Sequence, residues 1–97
     1  MTVINGIEIT DVIIFPIKKV IKDSNVRAFA KVIMNDNFII NGIRVFEGKN
    51  GHFINFPKEY KNKGDKTGYE VCFPVTSELR NYITDEVLKQ YKKVTLV

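Results

Sequence analysis

The apolar residues of this 97-residue chain change their period part-way along, and no other feature constrains the fold as much. Up to about residue 75 they alternate. Val26, Ala28, Ala30, Val32 and Met34 share one face of a period-two pattern, with Arg27 and Lys31 on the other, as in a half-buried strand. Beyond Thr76 the interval becomes four. Leu79, Ile83, Val87 and Tyr91, with Tyr82 and Leu88 beside them, make one apolar stripe of an amphipathic helix. Strands followed by a single helix predict an α+β domain whose helix covers one face of a sheet.

Turn residues divide the strand region. Ile7 to Ile17 is rich in β-branched residues and ends near Pro16, which cannot donate to a sheet ladder. Lys22-Asp23-Ser24-Asn25 reads as a turn, and Asn35-Asp36-Asn37, tolerant of left-handed backbone, as a tight hairpin after the strand ending at Met34. Phe38 to Phe46 is a third strand in which Asn41-Gly42 marks a bulge. Glu47-Gly48-Lys49-Asn50-Gly51 is the strongest turn signal in the chain. His52 to Phe56 is a short fourth strand closed by Pro57, Lys58 to Gly68 an exposed Lys-rich loop, and Tyr69 to Val75 a fifth strand. Thr76 and Ser77 are helix caps, Glu78 suits the positive end of the helix dipole, and Lys89, Lys92 and Lys93 suit its negative end. With no repeat or linker in view, the expected architecture is one domain over residues 1–97. It holds a five-stranded, mainly antiparallel β-sheet with a C-terminal α-helix packed on it.

Composition removes several function classes. A hydrophobic share of 44% with 27% charged residues is too balanced for a disordered chain. No apolar run approaches the ~20 residues that span a bilayer, and the first residues lack the basic and apolar regions of a secretory signal. Cys72 is the sole cysteine, so no internal disulfide can form, and a free thiol suits a reducing cytoplasm. The expectation is a cytoplasmic protein. His52, the one histidine, has no acid or nucleophile at a recognisable motif spacing, and Cys72 between Val71 and Phe73 reads as a small hydrophobe. One His and one Cys cannot complete a four-ligand zinc site. Gly48 and Gly51 lie between strands without the Gly-Lys-Ser/Thr of a phosphate loop, and are turn glycines. These residues predict a non-enzyme with no cofactor, no metal and no small-molecule substrate. A formal charge of +4 and a pI near 9.2 favour phosphates over acidic partners.

The run Ile43-Arg44-Val45-Phe46-Glu47-Gly48-Lys49-Asn50-Gly51-His52-Phe53-Ile54-Asn55-Phe56-Pro57 resembles the signature of the septation-protein (stage V sporulation protein G) family. Thr10-Asp11-Val12 is similar to that family's opening strand and Val26-Arg27-Ala28-Phe29-Ala30 to its second. Tyr69-Glu70-Val71-Cys72-Phe73-Pro74-Val75 is similar to a strand that usually ends His-Pro-Ile, with Phe73 replacing the His. Arg80, Ile83, Asp85, Val87, Leu88 and Tyr91 match the family's helix spacing, although Tyr82 stands where a Lys is common. The basic segment after the fourth strand departs most: only its polar, Gly-containing, basic character survives in Lys58 to Lys66. The resemblance implies a homodimer joined through sheet edges. It also implies site-preferring binding of DNA, and of RNA in some members, in the regulation of gene expression, cell division and sporulation.

The nucleic-acid-binding candidates are Lys58, Lys61, Lys63 and Lys66, interleaved with Tyr60 and Tyr69, together with Arg44 and Arg80. Lysines can neutralise phosphates and tyrosines can stack on unpaired bases. Arg44 has two readings, a grip on a phosphate or guanine edge, or an ion pair with Glu47 or Asp11. Phe29, Phe38, Phe46, Phe53 and Phe56 read as core and interface residues rather than as a base-stacking platform. The rival function is a protein-interaction module whose lysines serve solubility.

Overall fold

The computed structural model describes residues 2–18 and 24–95. Among the described residues seven strands precede one helix: β1 (Val3–Ile4), β2 (Ile7–Pro16), β3 (Val26–Met34), β4 (Phe38–Gly48), β5 (Gly51–Asn55), β6 (Lys58–Glu59), β7 (Tyr69–Glu70) and α1 (Ser77–Thr95). The main sheet is an antiparallel meander in the order β1-β2-β3-β4-β5, so every strand pairs with its neighbour in sequence. β6 and β7 form a separate two-stranded ribbon.

Turn chemistry sets the register. Asn35 and Asp36 both adopt positive φ, 53° and 52°, the turn geometry whose twist matches the flanking strands, and the Asn37 N–H closes the turn on the Met34 carbonyl (3.0 Å). The same device recurs at Asn5 (φ 53°) and Gly6 (φ 77°), where β1 folds back on β2. Gly42, at φ 93°, is skipped between the pairs Ala30–Ile43 and Lys31–Asn41, and is the expected bulge. The Lys22-Asp23 half of the turn expected at Lys22-Asp23-Ser24-Asn25 lies outside the described residues.

The five-stranded sheet and its helix agree with expectation, but its fifth strand is Val3–Ile4 and not Tyr69–Val75. From the latter stretch only Tyr69 and Glu70 are strand, paired to Glu59 and Lys58. Val71 still donates its N–H to the Pro57 carbonyl (2.9 Å). Pro74 has no N–H with which to continue a ladder.

Helix α1 begins where Thr76 Oγ1 accepts the Leu79 N–H (3.3 Å). Its stripe of Ile83, Val87 and Tyr91 is buried against Ile14, Ala28, Ala30, Val32, Ile43, Val45, Ile54 and Phe56, while Leu79 and Leu88 are partly buried at the margins. Fully burying a side chain such as Ile83 or Val87 contributes roughly 1.5–3 kcal/mol. The helix lies mainly across β2 and also touches β1, β3 and β5. Tyr82 fastens this seam: its hydroxyl accepts the Ile9 N–H (3.1 Å) and donates to the Thr2 carbonyl.

Among the described residues one helix covers one face only. Of the five phenylalanines expected in core or interface, Phe56 alone is in the core, 1% exposed. Phe29, Phe38 and Phe53 are exposed. Strand alternation sends Phe29 and Phe53 to the uncovered face, because their neighbours Ala28, Ala30 and Ile54 already take the helix side.

Candidate nucleic-acid interface

The segment between Pro57 and Tyr69 is the exposed Lys-rich loop expected, but it has an internal order that its composition does not announce. Its ends are held by the β6–β7 ribbon, and its tip is organised around Asp65. The Asp65 carboxylate accepts N–H bonds from Lys61 (3.1 Å), Thr67 (3.2 Å) and Gly68 (3.1 Å), and one from the Thr67 hydroxyl (3.4 Å). Stabilisation of the charged form by these donors, the Gly68 amide first, holds its pKa below the ordinary carboxylate value of 3.8. Asn62 Oδ1 accepts the Gly64 N–H (2.9 Å) and tightens the same turn. Gly68 is indispensable to this path: its φ is +63°, and a Cβ would stand 2.7 Å from the Tyr60 ring.

The loop carries four lysines against two acids, and both acids face the loop's own donors. Glu59 accepts the Tyr69 hydroxyl proton (3.0 Å), and this bond, with the charge of Glu59, raises the Tyr69 pKa above 10.0. Lys58 donates from Nζ to the Thr67 carbonyl (3.1 Å). Lys61, Lys63 and Lys66 are exposed and make no salt bridge among the described residues. Exposed Tyr60 and Tyr69 flank them in the chain.

Arg80 sits at the base of this loop. Its guanidinium donates to Glu70 Oε1 (2.7 Å) and lies 4.9 Å over the Phe56 ring and 6.0 Å from that of Phe73. Glu70 Oε2 in turn accepts the Phe56 N–H (3.1 Å). The Arg80 hydrogen bond is the largest influence holding the Glu70 pKa below 4.5, followed among the lowering influences by the Phe56 amide. Since Glu70 pairs with Lys58 across the ribbon, this ion pair ties the helix to the loop's foundation. Arg80 is a positioning residue for the loop.

Arg44 is elsewhere, on the uncovered face of the main sheet, 5.8 Å over the Phe29 ring. It pairs with neither Glu47 nor Asp11. Glu47 belongs instead to Arg27, 3.0 Å away. Residues three apart in a strand point to opposite faces, whereas the register shift between Val26 and Ala28 frees Arg27 to reach across. The structure thus brings four of the six candidates into one loop, places Arg80 beneath it and leaves Arg44 on the sheet. The organising residues that sequence reasoning missed are Asp65, Gly68 and Glu70. The run Asn62-Lys63-Gly64-Asp65 carries the signal, since Asn and Asp bond their own backbone in turns.

His52 lies beside its turn with its ring 5.0 Å from that of Tyr91, and Cys72 packs partly buried against the core. Among the described residues no group of three or more His, Cys, Asp or Glu is placed to hold a metal, and no helix is long and apolar enough to cross a membrane.

The SpoVG family model matches residues 7–93, from the first residue of β2 into the last turns of α1. The chain belongs to the SpoVG family. Three relatives, each named "Putative septation protein SpoVG", show the span of the likeness. The protein from Phytoplasma australiense is 34% identical over 87 residues, covering 90% of this chain and 85% of its own. That from Macrococcus caseolyticus is 30% identical over 90 residues, covering 93% and 74%. That from Bacillus velezensis is 32% identical over 87 residues, covering 90% and 84%. The matched SpoVG span takes in β2 to β5, the Asp65 loop and nearly all of the helix.

Proposed function

We propose that this member of the SpoVG family is a nucleic-acid-binding regulator that takes DNA, and RNA as a second partner, with Lys61, Lys63 and Lys66 supplying the phosphate contacts. One observation carries the reading: a loop held rigid by Asp65 directs its carboxylates at its own donors and leaves these three ammonium groups in solvent. Ordering the loop beforehand lowers the entropy lost on binding. Lys58 and Arg80 add positive charge at the base while holding the loop in place, and Arg44 adds another from the sheet. Two copies joined at a sheet edge would double the phosphate contacts, and linked sites gain avidity without new chemistry. The relatives are named for septation, which supports a role in cell division and sporulation; control of gene expression is the means proposed for it.

The test reverses the three free lysines together (K61E, K63E, K66E), sparing Lys58, and titrates duplex and single-stranded oligonucleotides across a range of salt. Affinity for both should fall, and the slope of log affinity against log salt should flatten by about 0.9 for each duplex phosphate contact removed. Unchanged affinity in a variant that still folds would remove the loop as the site.

A further inference from the structure

The uncovered face of the main sheet combines aromatic rings with unpaired cations. Register places Phe15, Phe29, Arg44 and Asn55 side by side in one row across β2, β3, β4 and β5. Phe15 is 46% exposed and Phe29 41%. Lys31 Nζ lies 5.4 Å over the Phe15 ring and Arg44 Cζ 5.8 Å over that of Phe29. Beyond the row, Phe46 and Phe53 stack with centroids 5.3 Å apart and planes 7° from parallel, and Phe53 keeps 46% of its surface open. Lys31 and Arg44 enter no salt bridge among the described residues. Asp11, which register places opposite Ile33 two residues along β2 from Ile13, engages its carboxylate with the Val12 N–H (2.9 Å).

We propose that this face is a stacking platform for single-stranded nucleic acid, its rings taking unpaired bases while Lys31 and Arg44 neutralise the adjoining phosphates. The inference rests on the reading that the protein binds nucleic acid, and it adds a second surface with a preference for strand state. Charge selects the occupant. Two copies meeting face to face would bring Lys31 and Arg44 against cations of the same kind, and like charges brought together destabilise a pairing. A nucleic-acid strand offers the opposite charge together with flat π-faces. A duplex hides those π-faces within its own stack, so the rings recognise only unpaired bases, whereas the lysine loop contacts any phosphate backbone.

The experiment compares wild type, Phe15→Leu, Phe29→Leu, the double variant and the K61E/K63E/K66E variant, using a labelled oligothymidylate and a labelled duplex in anisotropy titrations. Leucine keeps an apolar side chain but lacks the ring, and melting curves establish that each variant folds. Single-strand affinity should fall roughly five- to 150-fold for each base that loses its ring, with duplex affinity unchanged. The chain has no tryptophan, so Phe29→Trp introduces a lone reporter whose emission should be quenched by oligothymidylate and not by duplex. If the leucine variants bind oligothymidylate like wild type while the lysine reversal weakens both probes, the platform is refuted and the loop reading stands. If neither probe binds wild type, both fall together. If wild type sediments as a dimer that the leucine changes convert to monomer, the face belongs to a second copy and the platform is likewise refuted.

Discussion

Replacing Arg80 with methionine separates a structural duty from direct contact with nucleic acid. Methionine keeps an unbranched apolar stem over Phe56 and removes the charge. The lost hydrogen bond to Glu70, charge-assisted at 2.7 Å, is worth about 1.5–3 kcal/mol net. The lost cation–π contact over Phe56, at 4.9 Å, adds about 0.5–1 kcal/mol. Both partners are partly in solvent, with side chains 38% and 21% exposed, so screening pulls the sum to the low end, about 2 kcal/mol. At 4–8 °C per kcal/mol for a domain this small, Tm should fall by roughly 8–16 °C, read by circular dichroism. Glu70→Gln should cost a similar amount, and the double variant should lose less than the sum of the two. The acid limit has a definite sign. The folded pKa of Glu70 lies below its unfolded value near 4.5, so the contribution is complete above that pH and is lost as pH falls through the lower folded value. The gap between wild type and Glu70→Gln should therefore be full at neutral pH and close on acidification. A Tm for Arg80→Met within about 2 °C of wild type, or a gap that widens in acid, would refute the account.

Gly68→Ala forces a Cβ to 2.7 Å from the Tyr60 ring at a φ of +63°, and such strain costs about 1–3 kcal/mol. The expected outcome is faster proteolysis within residues 58–68 and weaker nucleic-acid binding, with α1 still helical by circular dichroism. Tyr82→Phe removes the hydroxyl that joins α1 to Ile9 and Thr2, and should lower stability by about 1 kcal/mol in a denaturant titration. It should leave affinity for both oligonucleotide probes untouched.

The strands from Ile7 to Asn55 and the helix are legible because each keeps one period long enough to declare a face. Val3–Ile4 is too short for any period, although Asn5-Gly6 is the same dipeptide cue as Asn50-Gly51. Tyr69 to Val75 has the residue types of a strand, but only Tyr69 and Glu70 pair, with Glu59 and Lys58, and Pro74 has no N–H to extend that ladder. The lysines of the candidate site are plain in the sequence. The scaffold that presents them is not, because Glu59 and Asp65 look like diluting charges until their donors are placed around them. The outward phenylalanines follow from simple counting, since one helix cannot cover both faces of a sheet. Their β-rich character alone suggests a core instead.

The seam between α1 and β2 also sets the order in which the molecule can be built. Each hairpin of the meander joins strands adjacent in sequence, and β1–β2, β3–β4 and β4–β5 close over only two or three residues. Tyr82 reaches back 73 residues to Ile9 and 80 to Thr2. Long-range closure of this kind costs chain entropy before its contacts can repay it, and so comes late. Since the helix follows every strand in chain order, a nascent sheet on the ribosome waits with Ile14, Val32 and Val45 facing water until Ile83, Val87 and Tyr91 emerge. That interval is when the polypeptide is most exposed to chaperones and to self-association.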